Sequence, residues 1–312
     1  MSPSTTFGLA LPQVFTESPV DVDAVVEAVS TAEADGLDSV WTQSQLVGRA
    51  DVLEPITLLS HVAAYSRRIR LGIGVLATPE HHPVQLAKQL ASLDHLCRGR
   101  LVVGLGLGSD GTRLRMGGVE TDPLGPRLAE SVRLMKQLWT GEPVTFEGRF
   151  WQLDGVSMNP PPVSSPHPPL WIGGHHPRAL RRSVRLGDGW MGPGAGPVDE
   201  FAAEVAALRR EIDAAGRDPA GFTVAKRVYV AVEERREVAR ERLRQRFATY
   251  SRRPERALSA SVYGSVDDVV DGLARVAAAG AALIVLNPVY DHLVQQAALS
   301  EVVRAFAGRS SS

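Results

Sequence analysis

Eight apolar runs alternate along this chain with segments of helical period, and that alternation limits the fold more than any other feature. The runs are Phe7–Pro12, Asp38–Ser44, Ile69–Ala77, Arg100–Gly108, Pro169–Gly174, Gly189–Gly194, Phe222–Val232 and Ala282–Pro288. Helical spacing of apolar residues covers Asp21–Gly36, Glu54–Ser66, His82–Cys97, Arg127–Trp139, Pro177–Gly187, Val198–Gly216, Arg235–Tyr250 and Val266–Gly280, and a last helix runs to about Ala307. The strand runs are apolar on both sides, as parallel strands are when helices cover both sheet faces. Eight such units predict an α/β fold of the (β/α)8 TIM-barrel type. A doubly wound open sheet is the alternative, but it calls for a GxGxxG turn after the first strand, and Phe7–Pro12 has none. Two segments interrupt the alternation: 141–169, which reads as a hairpin and a proline-rich loop, and 252–264, which reads as a second loop. No boundary divides residues 1–312, so one barrel domain with insertions is expected.

Composition narrows the function. The chain has 312 residues and a formal net charge of -1, so it carries no field to attract nucleic acid. No apolar stretch approaches the roughly 18 residues that span a bilayer. The N-terminal residues lack the basic region of a secretory signal. The single cysteine, Cys97, has no internal partner, which fits a reducing, cytoplasmic setting. No HExxH, CxxC or P-loop is present, and no metal site is expected. The adjacent pair His81 and His82, just before Pro83, reads as cap and packing rather than as ligands. The basic run Arg235–Arg246 reads as a solvated helix face. Asp291 and His292, beyond the last strand, are placed to line the barrel mouth, with nothing tying them to chemistry.

In a barrel the chemistry sits where strands end. The fifth run leaves through Trp171–Arg182, WIGGHHPRALRR. Gly173 and Gly174 let a bound group approach the backbone, and Pro177 suits a first helical turn. Backbone amides at such a helix start favour an anion, most often phosphate. His175, His176 and Arg178 add donors and charge. The plain alternative is a tight turn followed by two histidines capping a helix. A second glycine-rich exit, Gly187–Gly196, containing Gly189 and Trp190, supports the phosphate reading. In the third and fourth strands Gly72, Gly74, Gly104, Gly106 and Gly108 mark close backbone approach and leave room for a flat ring.

These runs, taken in order, resemble the bacterial luciferase-like flavin and deazaflavin oxidoreductases. The matching stretches are DSVWTQSQ, residues 54–108, RLMKQLWTGEPVTFEGRFW, and PPLWIGGHHPRALRRSVRLGDGWM. The resemblance implies a barrel that binds FMN or coenzyme F420 at its C-terminal mouth. It implies a bulged Gly74–Val75, often with a cis peptide, behind the ring, with Gly106 and Leu107 flanking it. Gly173, Gly174, His175 and His176 would hold the phosphate, with Gly189 and Trp190 near it. Substrate would stack by Trp41, Gln43, Gln45 and Ser109. Many family members carry an acidic residue and then histidine after the second strand; this chain has Ser44 and Gln45, and glutamine cannot titrate. Where some deazaflavin dehydrogenases place glutamate, this chain has Ser109, then Asp110, which argues against sugar-phosphate oxidation. The catalytic candidates are therefore Gln45, Ser109 and Asp110. No arginine lies near Leu107 for a flavin phosphate, although Arg113, Arg115 and Arg127 follow. The resemblance implies a dissociable reduced F420 and two-electron transfer with a small organic substrate. The alternatives are an FMN-dependent monooxygenase and a non-catalytic flavin-binding relative. A homodimer is the expected assembly.

Overall fold

A computed structural model describes residues 5–15, 19–46, 50–108, 123–251 and 253–310. Among the described residues eight strands close the barrel: β1 Thr6–Ala10, β2 Ser39–Thr42, β3 Arg70–Ala77, β4 Leu101–Gly106, β5 Leu170–Gly173, β6 Gly189–Gly192, β7 Thr223–Val232 and β8 Leu283–Pro288. Each pairs in parallel with its sequence neighbours, and β8 pairs with β1, which closes the cylinder. The chain is thus a (β/α)8 barrel. The helices are α1 Val22–Ala34, α2 Pro55–Val62, α3 Pro83–Leu96, α4 Leu124–Leu138, α5 Pro177–Leu186, α6 Val198–Ala214, α7 Arg236–Tyr250, α8 Pro254–Ser259, α9 Val266–Ala278 and α10 His292–Ser310.

Local chemistry sets the boundaries. Asp21 caps α1 by accepting from the Ala24 amide, and Ser265 and Asp268 close a capping box on α9. Proline opens α2, α3, α5 and α8, where its missing N–H costs nothing. Outward residues of the strands join the large core against the helices. Inward residues form a second cluster that includes Ala10, Trp41, Val102, Trp171, Met191 and Val285.

Two tryptophans fill that interior. Trp41 and Trp171 stack with centroids 5.1 Å apart, and the Trp41 indole donates to Ser39 Oγ at 2.8 Å. Their bulk explains Gly72: a methyl there would lie 2.4 Å from the Trp41 ring. A ring this large fits inside a closed barrel only where facing positions are bare.

The segment before β5 is an antiparallel hairpin, Val144–Glu147 with Gln152–Val156, followed by the proline-rich loop. Buried carboxylates tie both to the barrel. Glu130 on α4 accepts from the Arg149, Phe150 and Trp151 amides. Asp94 on α3 accepts from the Ser164 amide and hydroxyl. The second insertion, expected as a loop, is instead the short helix α8 and a strand, Val262–Gly264, that adds in parallel to β7. Its proline-led apolar residues Ala257 and Leu258 are buried against α7, which is what orders it.

Candidate functional site

All strands run the same way, so one end of the cylinder collects all their C-termini. Two unlike walls meet there. The first comes from β3, β4 and β5. The pairing of β3 with β4 slips between Ile73 and Leu76, and the Gly74–Val75 peptide bond within the slip is cis. The slip turns the Val75 side chain inward. It occupies the hollows above three glycines: a methyl at Gly104, Gly106 or Gly173 would fall 2.8, 2.7 or 3.1 Å from a Val75 methyl. Gly104 and Gly106 were expected to make room for a flat ring. In the structure they make room for Val75, and the valine presents the apolar platform.

Beyond this wall, Gly174 takes a φ of +121°, open to glycine and strained for other residues. His175, His176, Pro177 and Arg178 are exposed. The anion reading of this exit needs revision. The α5 amide of Arg178 already donates to His176 Nδ1 at 3.1 Å, and the Ala179 and Leu180 amides donate to the His176 carbonyl. What stays open is the turn at Gly173–His176. The structure thus shows the cap of the plain alternative at His176, with the bare Gly173–Gly174 turn before it. His175 faces Glu200 of α6, whose carboxylate is clamped by Arg256 of α8 and held below the usual range first by that hydrogen bond.

Of the two residues expected near the phosphate, Gly189 lies away from the turn and Trp190 meets it from the outer side. Gly189 is the first residue of β6, paired with Trp171, so it sits toward the opposite end of the barrel from the mouth. Trp190 is fully buried and points outward, stacked on Phe201 of α6. Its indole donates to the Gly174 carbonyl at 2.8 Å and braces the turn from behind. The alternation of strand side chains accounts for both: Met191, between Trp190 and Gly192, is the β6 residue that faces inward. Leu107 is half-buried and packs on the outer core. Arg127 lies over the Trp151 ring at 4.5 Å, serving the hairpin. His82 packs edge-on against Trp151, the packing role expected of it. Ser109, Asp110, Arg113 and Arg115 lie outside the described residues.

The second wall comes from β1, β2, β7 and β8, and it is polar. It surrounds a cavity floored by Trp41, Met191 and Val285 and reached by Gly74. Gln13, buried just after β1, fixes the β2 exit: it donates to the carbonyls of Gln43 and Leu53 and accepts from the Gln43 amide at 2.7 Å. Gln43 then accepts at its side-chain oxygen from Arg227 of β7 at 2.5 Å. Gln45, the expected catalytic position, is half-buried in the loop beyond and does not line this cavity. Arg246 and His292 also line the cavity. Burial, with the Arg246 charge beside it, pushes the His292 pKa down to about 4, so the ring is neutral at pH 7.

Sequence reasoning passed over Gln13, Lys226 and Arg227. The signal was there: Lys226 and Arg227 stand side by side inside the apolar run of β7. Strand alternation sends Arg227 into the mouth and Lys226 outward under α6. The buried Lys226 ammonium donates to the carbonyls of Pro193 and Gly196, so it holds the glycine-rich β6 exit in shape. Burial lowers its pKa to about 8 and raises that of neighbouring Glu204 to about 7. Among the described residues no cluster of histidine, cysteine and carboxylates is arranged to hold a metal ion, and no helix is long and apolar enough to cross a membrane.

A closed parallel barrel with a bulged third strand and an open cavity at its C-terminal mouth defines a (β/α)8-barrel protein of ligand-binding design. A profile of the luciferase-like monooxygenases matches residues 5–284, and the chain belongs to that family. It is 34% identical over 194 residues to an F420-dependent glucose-6-phosphate dehydrogenase of Kineococcus radiotolerans, a match covering 60% of this chain and 57% of the relative. It is 27% identical over 168 residues to the oxygenase component of a flavin-dependent trigonelline monooxygenase of Acinetobacter baylyi, covering 53% and 46%. The chain therefore spans about half the length of the curated relatives it matches. A solved F420-dependent secondary alcohol dehydrogenase, in complex with an F420-acetone adduct, superimposes with a TM-score of 0.82 at 19% identity over 97% of this chain and 99% of that one.

Proposed function

We propose that this protein is an oxidoreductase that takes a dissociable reduced F420 and exchanges two electrons with a small organic substrate. The observation that carries the reading is the cis Gly74–Val75 bulge facing the cavity, with Val75 seated on bare glycines. That arrangement is an apolar platform fitted to one face of a flat ring. The open Gly173–His176 turn on the same wall fits the cofactor's phosphate. The F420-dependent relative supports the choice of ring. When bound, the deazaflavin supplies or accepts hydride.

The chain's own part is position and exclusion of water. Trp41 and Trp171 seal the barrel floor. Gln43, held at its backbone by Gln13 and at its side chain by Arg227, orients the substrate side. His292, kept neutral by burial and Arg246, offers a ring nitrogen without competing charge. Among the described residues that line the cavity, His292 is the imidazole, and it offers a route for a proton beside solvent.

The flavin-dependent relative favours FMN with oxygen as the second reading. Titrating the purified protein with F420 and with FMN, followed by cofactor fluorescence, decides between them. Tight F420 binding with weak FMN binding is the expected result. Preference for FMN transfers the proposal to monooxygenation, and binding of neither ends it. The cytoplasmic location and homodimer remain proposals of the same kind, and analytical ultracentrifugation tests the second.

A further inference from the structure

The second wall of the mouth holds a charge that the fold does not use. Arg227 stands on the inward face of β7, level with Val285 of β8. Its guanidinium reaches across the opening to the neutral side chain of Gln43 and lies 5.5 Å from the Tyr229 ring. Among the described residues no Asp or Glu forms an ion pair with it. Other arginines differ: Arg70 pairs with Asp38, Arg242 with Glu233 and Asp291, and Arg256 with Glu200. Among the described residues that line the cavity there is no Asp or Glu. The chain also keeps room for the guanidinium. A methyl at Gly194, in the β6 exit, would lie 2.8 Å from Arg227 Nε.

We propose that Arg227 receives the carboxylate of an acidic organic substrate, with Gln43 and Asn287 completing the cradle. This rests on the reading of the mouth as the reaction site. A planar guanidinium offers a fork of donors matched to a carboxylate. Gln43 spends its oxygen on Arg227, so its amide N–H2 faces outward as a further donor. Asn287, two residues beyond Val285 in the β7–β8 register, lines the same cavity and adds an amide. The apolar floor of Trp41, Met191 and Val285 accepts the rest of the molecule. Such a pocket selects an acid over its neutral isostere, because a partly desolvated cation gains an ionic partner only from the acid.

The test compares acids and amides of equal shape on the full-length protein: benzoate against benzamide, and phenylacetate against phenylacetamide, by calorimetric titration. The wild type is expected to bind each acid at least tenfold more tightly, since charge-assisted hydrogen bonds contribute about 10- to 100-fold. Arg227→Gln should erase the preference. Arg227→Lys should keep part of it, holding the charge and losing the fork. Both variants should keep wild-type affinity for F420 or FMN. Equal or undetectable binding of acid and amide by the wild type overturns the proposal. So does a preference that survives in Arg227→Gln, or cofactor affinity that falls along with the acid, which would give Arg227 to the cofactor. Melting curves establish that each variant is folded; if Arg227→Gln is not, the wild-type pairs and Arg227→Lys decide. A wild type that prefers acids and binds neither cofactor leaves the pocket standing and removes the redox reading.

Discussion

The two walls of the mouth are built from opposite materials. Around β3, β4 and β5 the inward positions nearest the mouth are glycines and Val75, and the backbone itself shapes the surface. Around β1, β2, β7 and β8 the shape comes from side chains, with Gln13, Gln43 and Arg227 linked in series. A surface made of backbone is rigid, since moving it means moving a strand within a close-packed sheet. A surface of long side chains adjusts at little cost. The pairing suits a protein that must hold one flat partner in a fixed plane and admit a second, polar one beside it.

The largest effect should come from attacking the rigid wall. Gly104→Ala places a methyl 2.4 Å from the Ile73 carbonyl oxygen and 2.8 Å from a Val75 methyl. The nearest of these is backbone and cannot swing aside, so we expect a loss of about 3 kcal/mol or more, read as a fall in the urea midpoint. Gly194→Ala intrudes to 2.8 Å, but on the guanidinium end of Arg227, which can rotate. It should cost under about 1 kcal/mol and act instead on acid binding. Equal destabilisation by the two would break the contrast between the walls.

Next comes the open turn. Gly173→Asp sets a carboxylate beside Val75, where a Cβ meets its methyls at 3.1 and 3.3 Å. Like-charge repulsion of a cofactor phosphate should weaken binding by about 100-fold or more in a fluorescence titration. Unchanged affinity in a folded variant would place the phosphate elsewhere.

How far the sequence foretold this depends on what kind of signal each region left. The eight strands were legible because burial on both faces leaves only apolar residues, a pattern visible without any coordinates. The Gly74–Val75 bulge was named from the family resemblance, and the bond there is cis. Side-chain direction was harder. Gly189 and Trp190 sit in a glycine-rich exit by sequence, yet their places in β6 send one to the far end and the other outward. A shift of one residue reverses every such assignment. The glycines of β4 were read as space for a ligand because sequence cannot reveal that a bulge one strand away turns Val75 into that space. Gln45 was chosen by analogy of position, whereas the hydrogen bonds of Gln13 select Gln43. The Gln13–Gln43 contact joins segments 30 residues apart, and periodicity carries no trace of it.

A smaller effect probes the support behind the mouth. Glu204 has its carboxyl raised to about 7, chiefly by burial, against 4.5 for the free group. A raised acid stabilises the fold in full below pH 4.5, and that contribution is lost as pH climbs through 7. Its neighbour Lys226, lowered to about 8, acts in the other window, adding stability only as pH rises from about 8 toward 10.5. Glu204→Gln should therefore flatten the fall in stability between pH 5 and 7, a difference of about 2 kcal/mol once the half-open surface is allowed for. Urea midpoints at pH 5, 6 and 7 measure it. A parallel decline in both proteins would mean that Glu204 is ionised throughout.

The smallest change should be Gln45→Ala, and its smallness is informative. Gln45 follows β2 by three residues and is half-buried, but it does not line the cavity. Removing its amide leaves the Gln13–Gln43–Arg227 chain untouched, so stability should move by less than about 0.5 kcal/mol and cofactor affinity by less than about twofold. Gln43→Ala is the matched comparison two residues away. It strips Arg227 of its polar partner across the opening and frees the guanidinium to swing. Acid binding should then weaken severalfold while the backbone bonds to Gln13 persist, since those involve only the Gln43 main chain. If Gln45→Ala proves the more damaging of the two, the loop beyond β2 closes over the mouth in solution and the polar wall extends one turn further than its present edge.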